Sequence, residues 1–374
     1  MALLTLEALR AHGHELTIVS PIDSEVTHSP AGAARLEGVG RSVLVPVRPP
    51  GLVAAALRAA FGPTPITVAR HSHPGVRDEV ERLLSREPFD VVHAEQPQAL
   101  AQVAGAGRFG VPVVLRAQNV ESDLWEGASR GAGLIQPILA REARRLAAFE
   151  RQAVREVAAT VTLTAHDASR LAELSGAPER VSHVAAPFPP RLPAASAPLA
   201  GAPPVVLFGS GGWRPNEEAT RWFIGEAWPR VRKALPGAAL HVVGAPAAGS
   251  GGVCGRAAPS DSREVFAEGA VLVVPLHIAS GVRMKILEAW ARGVPVVSTP
   301  AGARGLDAAD GRELLLADGP EAFALALRRL HAEPGLAASL VAAGRERLTR
   351  HHDPGTVGRG LTEVYARTAS PGRT

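Results

Sequence analysis

The chain has 374 residues, 46% of them hydrophobic and 20% charged, a balance that excludes a disordered protein and leaves room for two domains with separate cores. Its pI of about 10.1 overstates its basicity, because the formal charge is only +4; that admits phosphate-bearing substrates, acidic lipid or nucleic acid and selects none of them. Cys254 is the single cysteine, which excludes an intrachain disulfide and a cysteine metal cluster and suits a reducing compartment.

The N-terminus, MALLTLEALRAHGHELTIVSP, lacks the basic region and long apolar core of a secretory signal. No run of about 18 apolar residues without charges or Gly/Pro breaks is present to cross a membrane.

In chain order, residues 3–12 read as an amphipathic helix ended by Gly13, and 15–20 as a strand. Opening on a helix is unusual. In a doubly wound α/β domain the first strand precedes that helix and lies centrally in the sheet. The first strand of the N-terminal domain is therefore expected to be missing, through an upstream start codon or a truncation. Strands follow at 42–47, 91–94, 111–116 and 157–163, with helices at 76–85, 98–106, 140–157 and from near His166. Strands alternating with helices predict a mostly parallel sheet, and the apolar cores VVLR, VVHA and TVTL suit burial on both faces.

Residues 186–204, APFPPRLPAASAPLAGAPP, predict a semi-extended linker without a core of its own. The alternation then restarts. Strands are expected at 205–209, 239–243, 270–274, 294–298 and 313–316, and helices at 217–235, 321–332, 336–348 and 356–366. The loops GSGGWRPN and 245–252 are rich in glycine. The expected organisation is an N-terminal Rossmann-like domain, 1–187; a linker, 188–203; a C-terminal Rossmann-like domain, 204–352; and a final helix and tail, 353–374. Ligands of such sheets bind beyond the carboxyl ends of the strands, here in a cleft between two domains.

Most of the chemistry converges on residues 275–300, PLHIASGVRMKILEAWARGVPVVSTP. Gly281 removes a side chain where backbone would approach a ligand. The helix after it offers unpaired N–H groups and partial positive charge, which favour phosphate. Arg283 and Lys285 add full charges; Lys285 and Lys233 are the only lysines of the chain. Glu288, three residues after Lys285, lies on the same side of the helix and suits a ribose diol one group further along. The bland alternative, an i, i+3 ion pair on a solvated helix, is about equally compatible with these residues alone.

The stretches FGSGGWRPNEEATRWF, LHVVGA and VLVVPLHIASGVRMKILEAWARGVPVVSTPAGARGL resemble the C-terminal domain of family 4-like glycosyltransferases of the GT-B fold. LRAHGHELTIVSP, FDVVHAEQP and VVLRAQNVESDLW are similar to weaker patterns of the same group, so the resemblance covers most of the chain. It implies retaining transfer of a sugar from a nucleotide-sugar, without a catalytic metal or other cofactor; no D-x-D motif occurs. On the matching positions it implies that Glu288 holds the donor ribose and that Arg283 and Lys285 stabilise the leaving diphosphate. It also places Gly209, Ser210, Gly211, Ser280, Gly281 and Val282 around the donor. Ser210 stands where many members have arginine, a charge Arg214 is expected to replace, and Ser280 stands where an acid is common. Gln118 and Asn119 occupy an N-terminal cleft position where many members carry His-Asn, so a titrating imidazole is absent there. Glu121 is read equally as a helix cap, and His93 and Glu95 as satisfied polar groups.

The expected function is thus transfer to a glycan, lipid-linked or other hydroxyl acceptor, in the cytoplasm. The arginines of 140–157 suggest a peripheral contact with the inner membrane face, although such a helix is more often a solvated layer. No nucleic-acid partner is implied. A catalytically silent GT-B partner subunit and a nucleotide-sugar epimerase are the alternatives. Substituting Lys285 or Glu288 by alanine is expected to abolish transfer and leave the fold intact.

Overall fold

The computed structural model describes residues 1–23, 35–48, 64–130, 132–195, 197–208, 214–244, 251–259 and 261–369. The chain divides into two compact units: Met1–Pro187 with Pro354–Thr374, and Phe188–Asp353. Both are α/β with parallel sheets.

The first unit opens on the helix Ala2–Ala11, which His12 caps before Gly13 turns the chain at φ +84°. Its strands are β1 (Thr17–Asp23), β2 (Arg41–Val47), β3 (Val92–Glu95), β4 (Val113–Ala117), β5 (Ala159–Thr162) and β6 (Val181–His183). Among the described residues they form two separate parallel sheets, β1-β2 and β3-β4-β5-β6. The final helix, Pro354–Thr368, belongs to this unit. Val357, Leu361, Val364 and Tyr365 bury against Leu9, Val114 and Val161. Gly358 makes the close approach possible, since a Cβ there would lie 2.4 Å from the His12 ring.

The second unit is one six-stranded parallel sheet of β7 (Pro204–Phe208), β8 (Ala239–Val243), β9 (Val253–Arg256), β10 (Val271–Val274), β11 (Val296–Ser298) and β12 (Leu315–Leu316). Their order across the sheet is β12-β11-β10-β7-β8-β9. The chain runs outward from β7 to β9, returns to β10 and runs outward the other way. Strand order therefore reverses between β7 and β10, the point at which open α/β sheets bind ligands. The central strands are continuous apolar runs because helices cover both faces: every residue of VLVV in β10 is buried.

Three segments differ from the sequence expectation. The helix expected at 217–235 is Arg214–Trp222 and Trp228–Ala234 joined by a π turn at Phe223–Ala227. Pro229 has no N–H to give to the preceding turn, so the helix widens there. Residues 98–106 hold only a 3-10 turn and the four-residue helix Leu100–Val103. The Pro-rich segment is docked rather than free. The amides of Phe188, Leu192, Ala195 and Ala202 donate to the carbonyls of His352, Ala291, Phe266 and Gly237 at 2.7–3.1 Å, and Phe188 and Leu199 are buried. Strands β6 and β9 were not legible in the sequence. Both are short edge strands, and β9 buries only Val253 of VCGR, so neither carries an apolar run.

The helix Met284–Arg292 follows β10 and carries the candidate site. Gly281 turns the loop before it at φ +71°, and Gly293 ends it in the left-handed region at φ +85°. Ile286, Leu287, Ala289 and Trp290 anchor its inner face with no exposure. The Trp290 ring lies flat under Gly344 of the helix Leu336–Arg347, and its Nε1 donates to the Glu313 carbonyl at 2.9 Å. This packing fixes the rotation of the helix and turns Lys285 and Glu288 outward together.

Candidate functional site

A cavity of about 290 Å³ opens at the carboxyl edge of the second unit's sheet. Phe208 ends β7, Val243 and Gly244 end β8, and Lys285 and Glu288 come from the helix after β10, so the cavity spans the switch point. Ala258, Pro259, Ser262 and Phe266 close it from the segment after β9, and Asn216 from the helix after β7. Phe208 and Phe266 pack with ring centroids 5.3 Å apart, giving one wall an apolar aromatic surface.

Lys285 is the cation of this cavity. Its Nζ donates to the Phe208 carbonyl at 3.2 Å, and among the described residues no carboxylate pairs with it. Burial disfavours its charged form and Arg283 adds repulsion, which together pull its pKa from 10.5 to about 8. Glu288 is held on one oxygen: Oε1 accepts from the Ser262 hydroxyl at 2.5 Å and from Nε of Arg292 at 2.8 Å. Arg292 is itself buried and donates through Nη1 to the Pro193 carbonyl of the docked segment.

Arg283, Lys285 and Glu288 are thus close together, but they do not share one surface. Arg283 is the N-cap residue of the helix and is buried; its Nη2 donates to the Gly281 carbonyl at 2.7 Å, and it does not line the cavity. Ser280 and Gly281 are buried and Val282 half-buried in the loop before it. Arg214 is engaged by Glu218, with Nε 2.6 Å from Oε1, and lies off the cavity wall that Asn216 forms. Gly209, Ser210 and Gly211 lie outside the described residues. Sequence reasoning missed Ser262, Phe266 and Arg292. Ser262 and Phe266 follow an illegible edge strand, and Arg292 looks like an ordinary charge in the last turn of a helix.

The first unit carries a second polar cluster at the carboxyl ends of β3 and β4. Glu95 accepts from Arg116 Nη1 at 3.0 Å and from Gln118 Nε2 at 2.5 Å, and its Oε2 lies 2.9 Å from His93 Nε2. The Tyr365 hydroxyl lies 2.6 Å from the other ring nitrogen of His93. Burial would raise the Glu95 pKa, but His93, Arg116 and Gln118 outweigh it and bring it down to about 2. Gln118 is therefore bonded into a buried ion-pair network. Gln96, beside Glu95, holds φ +73° and ψ 152°, a region costly for any residue but glycine. Asn119 hydrogen-bonds to Glu121, whose pKa burial nevertheless raises. Glu121 does not cap the helix Glu121–Ser129. That role falls to Glu150, which accepts from the amides of Glu121 and Ser122 at 2.6 and 3.3 Å and from the Ser122 hydroxyl. Burial pushes the Glu150 carboxyl up to about 7.

Two parallel-sheet α/β units with a cavity at a strand switch point are the architecture of GT-B glycosyltransferases. The glycosyl transferase 4-like domain matches residues 1–187, and the glycosyl transferases group 1 domain matches residues 203–333. The chain belongs to the glycosyl transferase 4-like family and is a glycosyltransferase. No curated protein matches it. Sucrose-phosphate synthase from Thermosynechococcus elongatus superposes with a TM-score of 0.68 at 15% identity, over 97% of this chain and 91% of that one. HepE from Anabaena, solved with UDP and glucose, gives 0.67 at 14% identity over 98% and 95%. TarM from S. aureus, solved with fondaparinux, α-GlcNAc-glycerol and UDP, gives 0.58 at 10% identity over 78% and 58%.

Proposed function

We propose that this chain is a retaining, metal-independent glycosyltransferase that moves a sugar from a nucleotide-sugar to a hydroxyl of a glycan or lipid-linked acceptor. One observation carries the reading. Lys285 is a buried ammonium facing a nucleotide-sized cavity, and among the described residues the Phe208 carbonyl is its one hydrogen-bond partner, an arrangement that a diphosphate would complete. The UDP bound in the HepE and TarM structures supports the same choice of donor class.

In this reading the bond from the anomeric carbon to the diphosphate breaks while the acceptor oxygen bonds to the same face. The acceptor proton passes to the departing phosphate oxygen, so no side-chain base is required. Charge developing on the leaving phosphate is met by Lys285 and the N-terminus of the helix Met284–Arg292, with Arg283 behind them, and no cofactor takes part. Nucleotide binding is expected to raise the melting temperature of the full chain in a panel of UDP-, GDP-, ADP- and dTDP-sugars. Absence of any shift would sink the donor-site reading and favour a silent partner subunit.

A cytoplasmic place on the inner membrane face belongs to the same proposal. Leu134 is fully exposed, Ile135 and Ile138 are largely so, and Arg141 and Arg144 are exposed on the helix Gln136–Glu156. Among the described residues no helix is long and apolar enough to cross a bilayer, so the contact would be interfacial. The chain is expected to float with vesicles containing anionic lipid, and the Leu134→Ser/Ile138→Ser double variant to remain at the bottom of the gradient. Equal flotation of both proteins would refute the contact.

A further inference from the structure

A lysine is a nucleophile only as its neutral amine, a form favoured by a desolvated pocket or a neighbouring cation. Both surround Lys285. It is half-buried on the wall of a cavity of about 290 Å³ whose lining includes Phe208, Val243, Pro259 and Phe266. Arg283 is the neighbouring cation. Glu288 is the carboxylate of that lining, and its Oε1 is taken up by the Ser262 hydroxyl and by Nε of Arg292. Among the described residues no acid forms an ion pair with Lys285. The Phe208 carbonyl accepts one Nζ–H at 3.2 Å. That bond holds the nitrogen through a hydrogen, so the lone pair of the neutral amine stays unused.

The balance between availability and basicity favours reaction. Burial and Arg283 bring the pKa of Lys285 to about 8. At pH 7.5 about a quarter of such amines are neutral, against about one in a thousand for an unperturbed lysine. A less basic amine attacks more slowly. A Brønsted slope of about 0.4–0.5, the value for thiols, takes back about tenfold of that roughly two-hundredfold gain, and about tenfold remains.

We propose that Lys285 is an acylation site for small acyl phosphates, whose phosphate enters the cavity as an anion and whose acyl group passes to Nζ. The inference rests on the reading that this cavity takes a diphosphate. The neutral Nζ attacks the acyl carbon. An N–C bond forms, and the bond from that carbon to the phosphate oxygen breaks. The electron pair leaves on inorganic phosphate, which also takes the proton lost by the nitrogen. The product is a neutral amide in place of the ammonium. The cavity then lacks the cation that would meet the donor, so acylation switches donor binding off.

The chain carries its own control. Lys233, the only other lysine, is exposed in the last turn of the helix Trp228–Ala234. The ligand-free full chain is treated with acetyl phosphate at about pH 7.5, and both lysines are followed by peptide mass spectrometry. Lys285 is expected to gain the acetyl group about tenfold faster than Lys233. In the urea-unfolded chain the two are expected to react alike. UDP, GDP, ADP and dTDP are then added in turn. The one that binds, at about ten times its Kd, is expected to slow acetylation of Lys285 about tenfold and to leave Lys233 unaffected. Equal or slower acetylation of Lys285 in the folded chain overturns the proposal, and so does a preference that survives unfolding. Selective acetylation that no nucleotide slows upholds the acylation site and removes the donor-site reading instead.

Discussion

Replacing Lys285 by methionine is expected to lower kcat/KM for the donor by about a thousandfold and, in the same protein, to raise the melting temperature of the ligand-free chain. The two effects have one cause. The ammonium is held beside β7 with, among the described residues, a single carbonyl partner, and burial draws its pKa from 10.5 to about 8. That shift corresponds to roughly 2–3 kcal/mol of folding stability withheld below pH 8, somewhat less than in a sealed site because Lys285 keeps an edge open to the cavity. A diphosphate bound as proposed would turn the unfavourable charge into a favourable contact, and losing one such group in a preorganised site costs about 10²–10³ in rate or more.

The signs of the pH dependence follow. Between about 8 and 10.5 the unfolded lysine binds more protons than the folded one, so ligand-free stability contributed by this group rises with pH across that window. Melting temperatures of the wild type and of Lys285→Met should therefore converge as pH approaches 10.5. Binding runs the other way. In the proposed complex the protonated form holds the diphosphate, so donor affinity is expected to be flat below about 8 and to fall above it, by up to about tenfold per unit. An affinity that is level from pH 7 to 9.5 would show that Lys285 does not meet the phosphates.

Glu288→Ala is expected to destabilise the second unit as well as abolish transfer, because Glu288 is paired with the buried Arg292. Alanine leaves Arg292, buried at 9% exposure, without its carboxylate. Removing one partner of a buried pair costs about 3–5 kcal/mol. Here the Pro193 carbonyl and the Phe266 ring still hold the guanidinium, so about 2–3 kcal/mol is expected. For a domain of this size that is a fall of roughly 5–10 °C in Tm. Glu288→Gln keeps the shape and one acceptor oxygen for Arg292, and is expected to lose most of its transfer activity with less than half of that fall. Thermal melts of the two variants beside their donor kinetics separate the roles. Equal melting of Glu288→Ala and wild type would mean that the Arg292 pair contributes nothing to the fold.

Periodicity and turn residues were enough to read most strands of the three sheets, because central parallel strands are unbroken apolar runs such as VLVV and PVVLF. The helix after Gly281 was legible for the same kind of local reason: a glycine before it, a glycine after it, and apolar residues on one face. That Lys285 and Glu288 share a side of that helix follows from helical spacing alone. The family was legible too, since its motif lies within one contiguous stretch.

Tertiary structure decided which of these residues face the cavity. Arg283 and Lys285 are two positions apart, yet one folds back onto the Gly281 carbonyl while the other reaches Phe208 at the end of β7. No local rule distinguishes them, because the choice depends on which neighbouring strand end supplies a carbonyl. Glu288 looked like one half of a pair with Lys285; it is paired with Arg292 and Ser262, the latter 26 residues earlier and beyond an edge strand without an apolar pattern. Likewise Gln118, placed by the resemblance at an N-terminal cleft position, donates to Glu95, because β3 and β4 lie side by side in the sheet. Sequence by itself determined most of the elements, the family and the helix that carries the charges. Only long-range packing decided the partner of each charge, because hydrogen bonds at a sheet edge join residues that the chain keeps far apart.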